Sequence, residues 1–189
     1  MTIRLAVAEI QRDSIVDGEG IRSVIWTQGC SHHCPGCHNP ETHSFCKGIL
    51  MDIEEVKKKI AAIEGQDGIT FSGGDPMEQA DACAEIAKYC KSIGLNVWCY
   101  TGYTFEELMQ KAEDVPGING FLKQIDVLVD GKFIFSQKSY DALFRGSKNQ
   151  RLIDVPKSLK SHKAIEITKF ELEDSSLSAK GRTNQYMYI

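Results

Sequence analysis

The chain reads as an α/β protein, an incomplete β/α barrel with about five to six parallel strands. Short runs rich in β-branched and aromatic residues alternate with longer segments of helical periodicity, the pattern of a parallel sheet with right-handed crossovers. The length of 189 residues falls short of the roughly 250 of a full eight-stranded barrel, yet holds five or six βα units of about 30 residues each. Each segment rich in Cys or Gly also follows one of the apolar runs directly, where β/α folds carry their active sites.

The elements follow in order. Ile3 to Ile10 adds an edge strand, and Ser23-Val24-Ile25-Trp26-Thr27 is a buried strand that runs into a cysteine-rich loop. Asp52-Ile53-Glu54-Glu55 reads as a capping box with Asp52 at the N-cap. Ile53, Val56, Ile60 and Ile63 then recur at helical spacing and predict a helix over 53–64. Gly68-Ile69-Thr70-Phe71-Ser72 is the next strand and ends in Gly73-Gly74-Asp75-Pro76. A helix over 78–93 stops at Gly94, and 95–100 is a third core strand. Thr104-Phe105-Glu106-Glu107 is a second capping box, opening a helix toward Ala112. Residues 125–129 form a fourth strand and 163–167 a fifth. One domain is predicted over 1–189, with its core at about 13–168 and a polar loop and tail over 171–189.

Composition narrows the function classes. With 22 Lys and Arg against 26 Asp and Glu, the formal charge is −4, so a nucleic-acid partner is not expected. No apolar run reaches membrane-spanning length, and the N-terminus lacks the features of a signal peptide. Seven cysteines, an odd number, argue against a secreted disulfide framework and for a reducing cytoplasm.

Cys30, Cys34 and Cys37 carry the chemistry. Gaps of three and then two residues bring three thiolates into one loop, and thiolates suit iron–sulfur clusters and zinc. A cubane cluster in an electron carrier takes four cysteines. Three leave one iron open to a ligand that is not protein. The competing reading is structural zinc, with a fourth ligand from His32, His33, His38, His43 or Cys46, although no second CxxC pair exists. Cys83 and Cys90 share a helix face with Ile86 and Ala87 and read as core, as does Cys99 within its strand. Cys46 follows the loop and is not counted as a ligand.

The spacing of Cys30, Cys34 and Cys37 resembles the signature of the radical S-adenosylmethionine (radical SAM) superfamily. Flanking motifs narrow the likeness: Asp17-Gly18-Glu19-Gly20-Ile21-Arg22 before the loop and His38-Asn39-Pro40-Glu41 after it resemble the activating enzymes of glycyl radical enzymes. Tyr100-Thr101-Gly102-Tyr103, Val129-Asp130-Gly131-Lys132-Phe133 and 145–151 resemble the branch that activates anaerobic ribonucleoside-triphosphate reductase. The resemblance implies a [4Fe-4S] cluster on Cys30, Cys34 and Cys37 whose open iron binds SAM. It implies that the reduced cluster cleaves SAM to a 5′-deoxyadenosyl radical, which takes a hydrogen atom from a glycine of the reductase. An electron donor such as flavodoxin or ferredoxin is implied as well. Related readings are activation of another glycyl radical enzyme or a radical SAM reaction on a small molecule. A ferredoxin-like carrier or a zinc-stabilised interaction module would be told apart by the lack of any response to SAM.

The resemblance also suggests SAM contacts. Gly73 and Gly74 correspond to the stretch that holds the methionyl amino group, and Asp75 stands where a glutamate is common, one methylene shorter. The plain reading of this stretch is a tight turn. His38 takes the place of an aromatic residue near the adenine, against the plain reading of a solvent-facing loop histidine. Gly36 lets the loop turn tightly beside SAM. Asp130 and Lys132 correspond to groups that reach the SAM end of the barrel, although Asp130-Gly131 also makes a simple turn. Tyr100-Thr101 replaces an Asp-Thr pair of formate-lyase activases, so a cation site there does not carry over. Arg145 and Arg151 sit in the branch-like segment with no finer role assigned.

Overall fold

The computed structural model describes residues 3–168, and the predicted polar tail over 171–189 lies outside them. Among these residues seven strands form one mixed sheet: β1 (Arg4–Ser14), β2 (Arg22–Thr27), β3 (Ile49–Asp52), β4 (Gly68–Gly73), β5 (Asn96–Tyr100), β6 (Val127–Asp130) and β7 (Arg151–Asp154). The order across the sheet is β3-β1-β2-β4-β5-β6-β7. β2, β4, β5 and β6 run parallel, while β1 pairs antiparallel with β2 and β3, and β7 antiparallel with β6.

The fold is therefore α/β, but with four parallel strands instead of the five to six expected. The connections explain the difference. A parallel neighbour needs a crossover of a dozen or more residues, usually a helix, whereas a short link reverses the chain. β1 reaches β2 through 15–21, so it lies antiparallel and inside the sheet, not at an edge. Between β6 and β7 the connection 131–150 is long enough for a crossover but carries only the 3₁₀ turn Phe135–Gln137 and no helix to pack on the sheet, and the chain returns antiparallel. The fifth strand expected over 163–167 reduces to an isolated bridge, Ile153 with Glu166.

Among the described residues five α-helices accompany the strands: α1 (Ile53–Ala61), α2 (Ala80–Ser92), α3 (Phe105–Asp114), α4 (Pro116–Leu122) and, after the last strand, α5 (Val155–Ser161). Asp52 caps α1 by accepting from the Glu54 amide, without the reciprocal Glu55 bond of a full box. Thr104 and Glu107 do form the reciprocal box at α3. At α2, Gly94 with φ 86° follows the last turn and ends it.

The sheet presents two different faces. Ile25, Ile69, Phe71, Val97, Cys99, Leu128 and Ile153 pack with Val56, Ile60, Cys83, Ile86, Ala87, Cys90, Leu108 and Phe121 in the main core. Burying each large aliphatic or aromatic side chain contributes about 1.5–3 kcal/mol. The alternate strand positions, Trp26, Ser72 and Tyr100, line a cavity instead. Lower on the same face Trp98, Val129 and Leu152 form a small second cluster with Phe144 against it. Strand alternation thus assigns one face to the helices and leaves the other for a site.

Candidate functional site

The cysteine loop is fastened at its base. Gly29 donates to the Thr42 carbonyl at 2.8 Å, and Cys30 to the His43 carbonyl at 3.1 Å. The buried Gln28 side chain adds bonds to the carbonyls of Glu41 at 3.2 Å and Ser44 at 2.7 Å. Chain entering and leaving the loop is thereby held side by side. Within the loop, Cys34-Pro35-Gly36-Cys37 makes a tight turn closed by Cys37 N–H to the Cys34 carbonyl at 3.1 Å. Gly36 supplies the φ of 70° that this turn needs. The Asn39 amide donates to Cys37 Sγ at 3.4 Å.

All three cysteines open onto one cavity of about 230 Å³, together with His38, Gly73, Gly74, Trp26, Ser72, Tyr100, Thr101, Gly102, Gly131, Phe133 and Gln150. All seven cysteines are free thiols. Burial pushes the Cys30 and Cys37 thiols up from their ordinary value, so binding a metal there must release protons. Among the described residues, no three His, Cys, Asp or Glu side chains converge closely enough to hold one metal ion. A cubane differs from that case, because each thiolate binds a different iron. His38 stacks at a tilt on Phe133, with ring centroids 4.9 Å apart. Burial, reinforced by Lys138, lowers its pKa.

The side chains of Asp75, Asp130 and Lys132 lie outside the cavity lining. Asp75 is fully buried and spends its carboxylate on the protein. It accepts from His32 Nε2 at 2.8 Å, from the Thr101 hydroxyl at 2.9 and 3.0 Å, and from the amides of Gly102 at 2.9 Å and Met77 at 3.0 Å. The side chain missing one methylene stays within reach of these donors and is not part of the cavity wall. Asp130 is likewise turned inward, accepting from the Phe105 amide at 2.7 Å and from Arg151 at 2.5 and 3.0 Å. Lys132 is exposed and lies outside the cavity lining. Gly74 meets backbone: an added Cβ would lie 2.3 Å from the Gly29 carbonyl oxygen. Its missing side chain serves the packing of β4 on the cysteine loop. Gly73, at φ 99°, sits equally close to Thr27.

Other contributors lie in segments that carried the resemblance but were given no role there. Gln150 accepts from the amides of Gly146 at 2.9 Å and Ser147 at 3.1 Å, and donates to the Gly131 carbonyl at 3.0 Å, binding the 145–151 segment to the end of β6. Asp17, also in the wall, is pushed up by burial despite its bond to Ser14 and the nearby Arg22. Arg151 is committed to Asp130 and Glu106. Arg145 donates to the Gln150 carbonyl at 3.4 Å, while its Nε is buried without a partner. Cys46 is exposed and does not line the cavity. Cys83, Cys90 and Cys99 lie in the helix-side core, as their spacing predicts.

A family model described as a 4Fe-4S single cluster domain matches residues 16–153, a span that begins before the cysteine loop and ends within β7. The chain is also 32% identical over 146 residues to an anaerobic ribonucleoside-triphosphate reductase-activating protein of Haemophilus influenzae, covering 72% of this chain and 89% of that one. The protein of the same name from Escherichia coli K12 is 33% identical over 151 residues, covering 72% and 90%. The chain belongs to this family of activating proteins. A phage member, from Enterobacteria phage T4, is 32% identical over 145 residues, covering 72% and 86%. Among the described residues, no helix is long and apolar enough to cross a membrane.

Proposed function

We propose that this protein is a radical SAM activase that installs a glycyl radical on anaerobic ribonucleoside-triphosphate reductase. The observation that carries the reading is the convergence of Cys30, Cys34, Cys37 and the Gly73-Gly74 loop on one cavity, in a chain of this family. The donor set fits the cluster: three thiols at the cavity, with the four remaining cysteines exposed or in the core. Cys30, Cys34 and Cys37 would hold a [4Fe-4S] cluster. Gly36, His38, Gly73 and Gly74 would lie along SAM. When bound, the cluster and SAM together supply a 5′-deoxyadenosyl radical that takes a hydrogen atom from the reductase glycine.

The protein's part is to aim and to shield. Trp26 of β2 and Tyr100 of β5 give the cavity wall aromatic surface. The Pro35-Gly36 turn sets the spacing of the second and third thiols. Asp130 and Arg151 tie β6, β7 and α3 together beneath the loop that carries Phe133, so these acid and base groups act as framework. In this reading the sheet is an incomplete barrel within one radical SAM domain, whose open side admits the glycine-bearing segment of the reductase. The remaining requirement is a one-electron donor such as flavodoxin or ferredoxin, in a reducing cytoplasm.

The test is anaerobic. Reconstituted protein, SAM, reductant and reductase should give the glycyl radical signal by electron paramagnetic resonance, and reductase with that glycine changed to alanine should give none. SAM cleavage with only a modified small molecule as product would refute the activase reading.

A further inference from the structure

The Tyr100-Thr101-Gly102-Tyr103 motif lines the cavity through Tyr100, Thr101 and Gly102 and also meets the cysteine loop directly. His32, between Cys30 and Cys34, points its ring at this segment. Its Nε2 donates to the buried Asp75 carboxylate at 2.8 Å, and the same carboxylate accepts from the Thr101 hydroxyl and the Gly102 amide. Gly102 leaves the room that the ring fills: a Cβ there would lie 2.4 Å from His32 Cδ2. Tyr103 packs edge-on against the ring, with centroids 4.4 Å apart. A second strut runs alongside, in which the Ser31 hydroxyl donates to Glu78 at 2.5 Å and the Tyr103 hydroxyl donates to Glu78 at 3.0 Å.

We propose that Asp75 is a positioning group that latches the cysteine loop, through His32, onto the ends of β4 and β5 and so presets the loop for its cluster. The idea rests on the reading that Cys30, Cys34 and Cys37 hold that cluster. Its physical basis is count and burial. A fully buried carboxylate must find donors inside the protein. Asp75 takes them from three segments: its own turn, the loop after β5, and the cysteine loop. His32 is the only one of these donors that belongs to the cysteine loop, so this bond transmits the position of Asp75 to the thiols. With the Ser31 bond to Glu78, it holds the middle of the loop, 31–33, which the backbone bonds at the loop base do not reach.

The test uses full-length protein reconstituted with iron and sulfide. His32→Phe keeps a ring against Tyr103 but removes the donor, His32→Gln restores a donor near the position of Nε2, and Asp75→Asn removes the charge. Two readouts are taken: the rate of iron loss to a chelator, and the change that SAM causes in the paramagnetic spectrum of the reduced cluster. His32→Phe and Asp75→Asn should each lose iron about tenfold faster, the scale of a lost hydrogen bond to a charged group. The double variant should be no worse than either single one, and His32→Gln should return toward the parent rate. Normal iron retention and SAM response in His32→Phe, or effects that multiply in the double variant, would overturn the latch. A pattern in which Asp75→Asn alone loses the SAM response would assign the carboxylate to SAM and also overturn it. If the unaltered protein takes up no iron, the cluster reading itself fails, an outcome distinct from any of these.

Discussion

Replacing Gly74 by alanine should destabilise the protein and strip its metal centre together. The added Cβ would lie 2.3 Å from the Gly29 carbonyl oxygen and 2.8 Å from the carbonyl carbon. Both atoms are backbone, so no side chain can swing aside. Non-bonded atoms rest at about 3.5 Å, so β4 and the loop base must part by roughly 1 Å. The two bonds that join them there, Gly74 N–H to Thr27 at 2.8 Å and Asp75 N–H to Gly29 at 2.9 Å, do not survive that movement. Two lost hydrogen bonds cost about 1 kcal/mol each, and overpacking adds about 1–3 kcal/mol, for roughly 3–5 kcal/mol in all. For a chain of this size each kcal/mol moves Tm by about 2–4 °C, so thermal unfolding of the metal-free protein should fall by on the order of 10 °C. Gly120→Ala is the control. It sits on α4 with only Ala84 Cβ nearby, at 3.9 Å, and should leave Tm unchanged or raise it. A Gly74→Ala protein that melts within about 2 °C of the parent and keeps its iron would refute the packing argument. It would leave the proposed place beside SAM as the sole reason for a glycine at this position.

Three further outcomes follow from the same structure. Cys30→Ala, Cys34→Ala and Cys37→Ala should each lose iron and sulfide, while Cys83→Ala and Cys90→Ala keep them; full iron in Cys34→Ala would exclude that thiol as a ligand. Burial pushes the Cys90 thiol up to about 12 and raises Cys83 and Cys99 as well, so alkylation of native protein near pH 8 should mark the exposed Cys46 and spare these three. Peptide mass mapping reads this, and fast labelling of Cys83 would contradict its place in the core. Arg151→Gln should cost about 3 kcal/mol or more, because it leaves the Asp130 carboxylate, 1% exposed, without its charged partner. The Arg151 bond also holds the Glu106 carboxyl below its ordinary value. That contribution is present above the unfolded value and is lost as pH falls through the folded one, so the variant should lose this part of the acid dependence in unfolding curves taken across the carboxylate range.

Legibility followed the range of each interaction. Strands 23–27, 68–72 and 95–100, the caps at Asp52 and Thr104, and the helix-side burial of Cys83 and Cys90 are short-range matters of periodicity and capping, and all are visible in the chain. Helix α4 was not, since Gly117 and Gly120 weaken its local signal and it depends on Ile118 and Phe121 packing into the core. β7 escaped for a similar reason. Four residues long, it is defined by pairing with β6 and not by its own pattern.

At the site, residue order alone determined that three closely spaced thiols follow a strand, because ligand spacing and strand position are local. The direction in which Asp75, Asp130 and Gly74 face was decided only by tertiary structure. A carboxylate goes to whichever donors the fold buries beside it, and here those are His32 and Thr101 for Asp75, and Phe105 and Arg151 for Asp130. These partners lie between 21 and 43 residues away along the chain. No local pattern records which of them the sheet will bring within 3 Å.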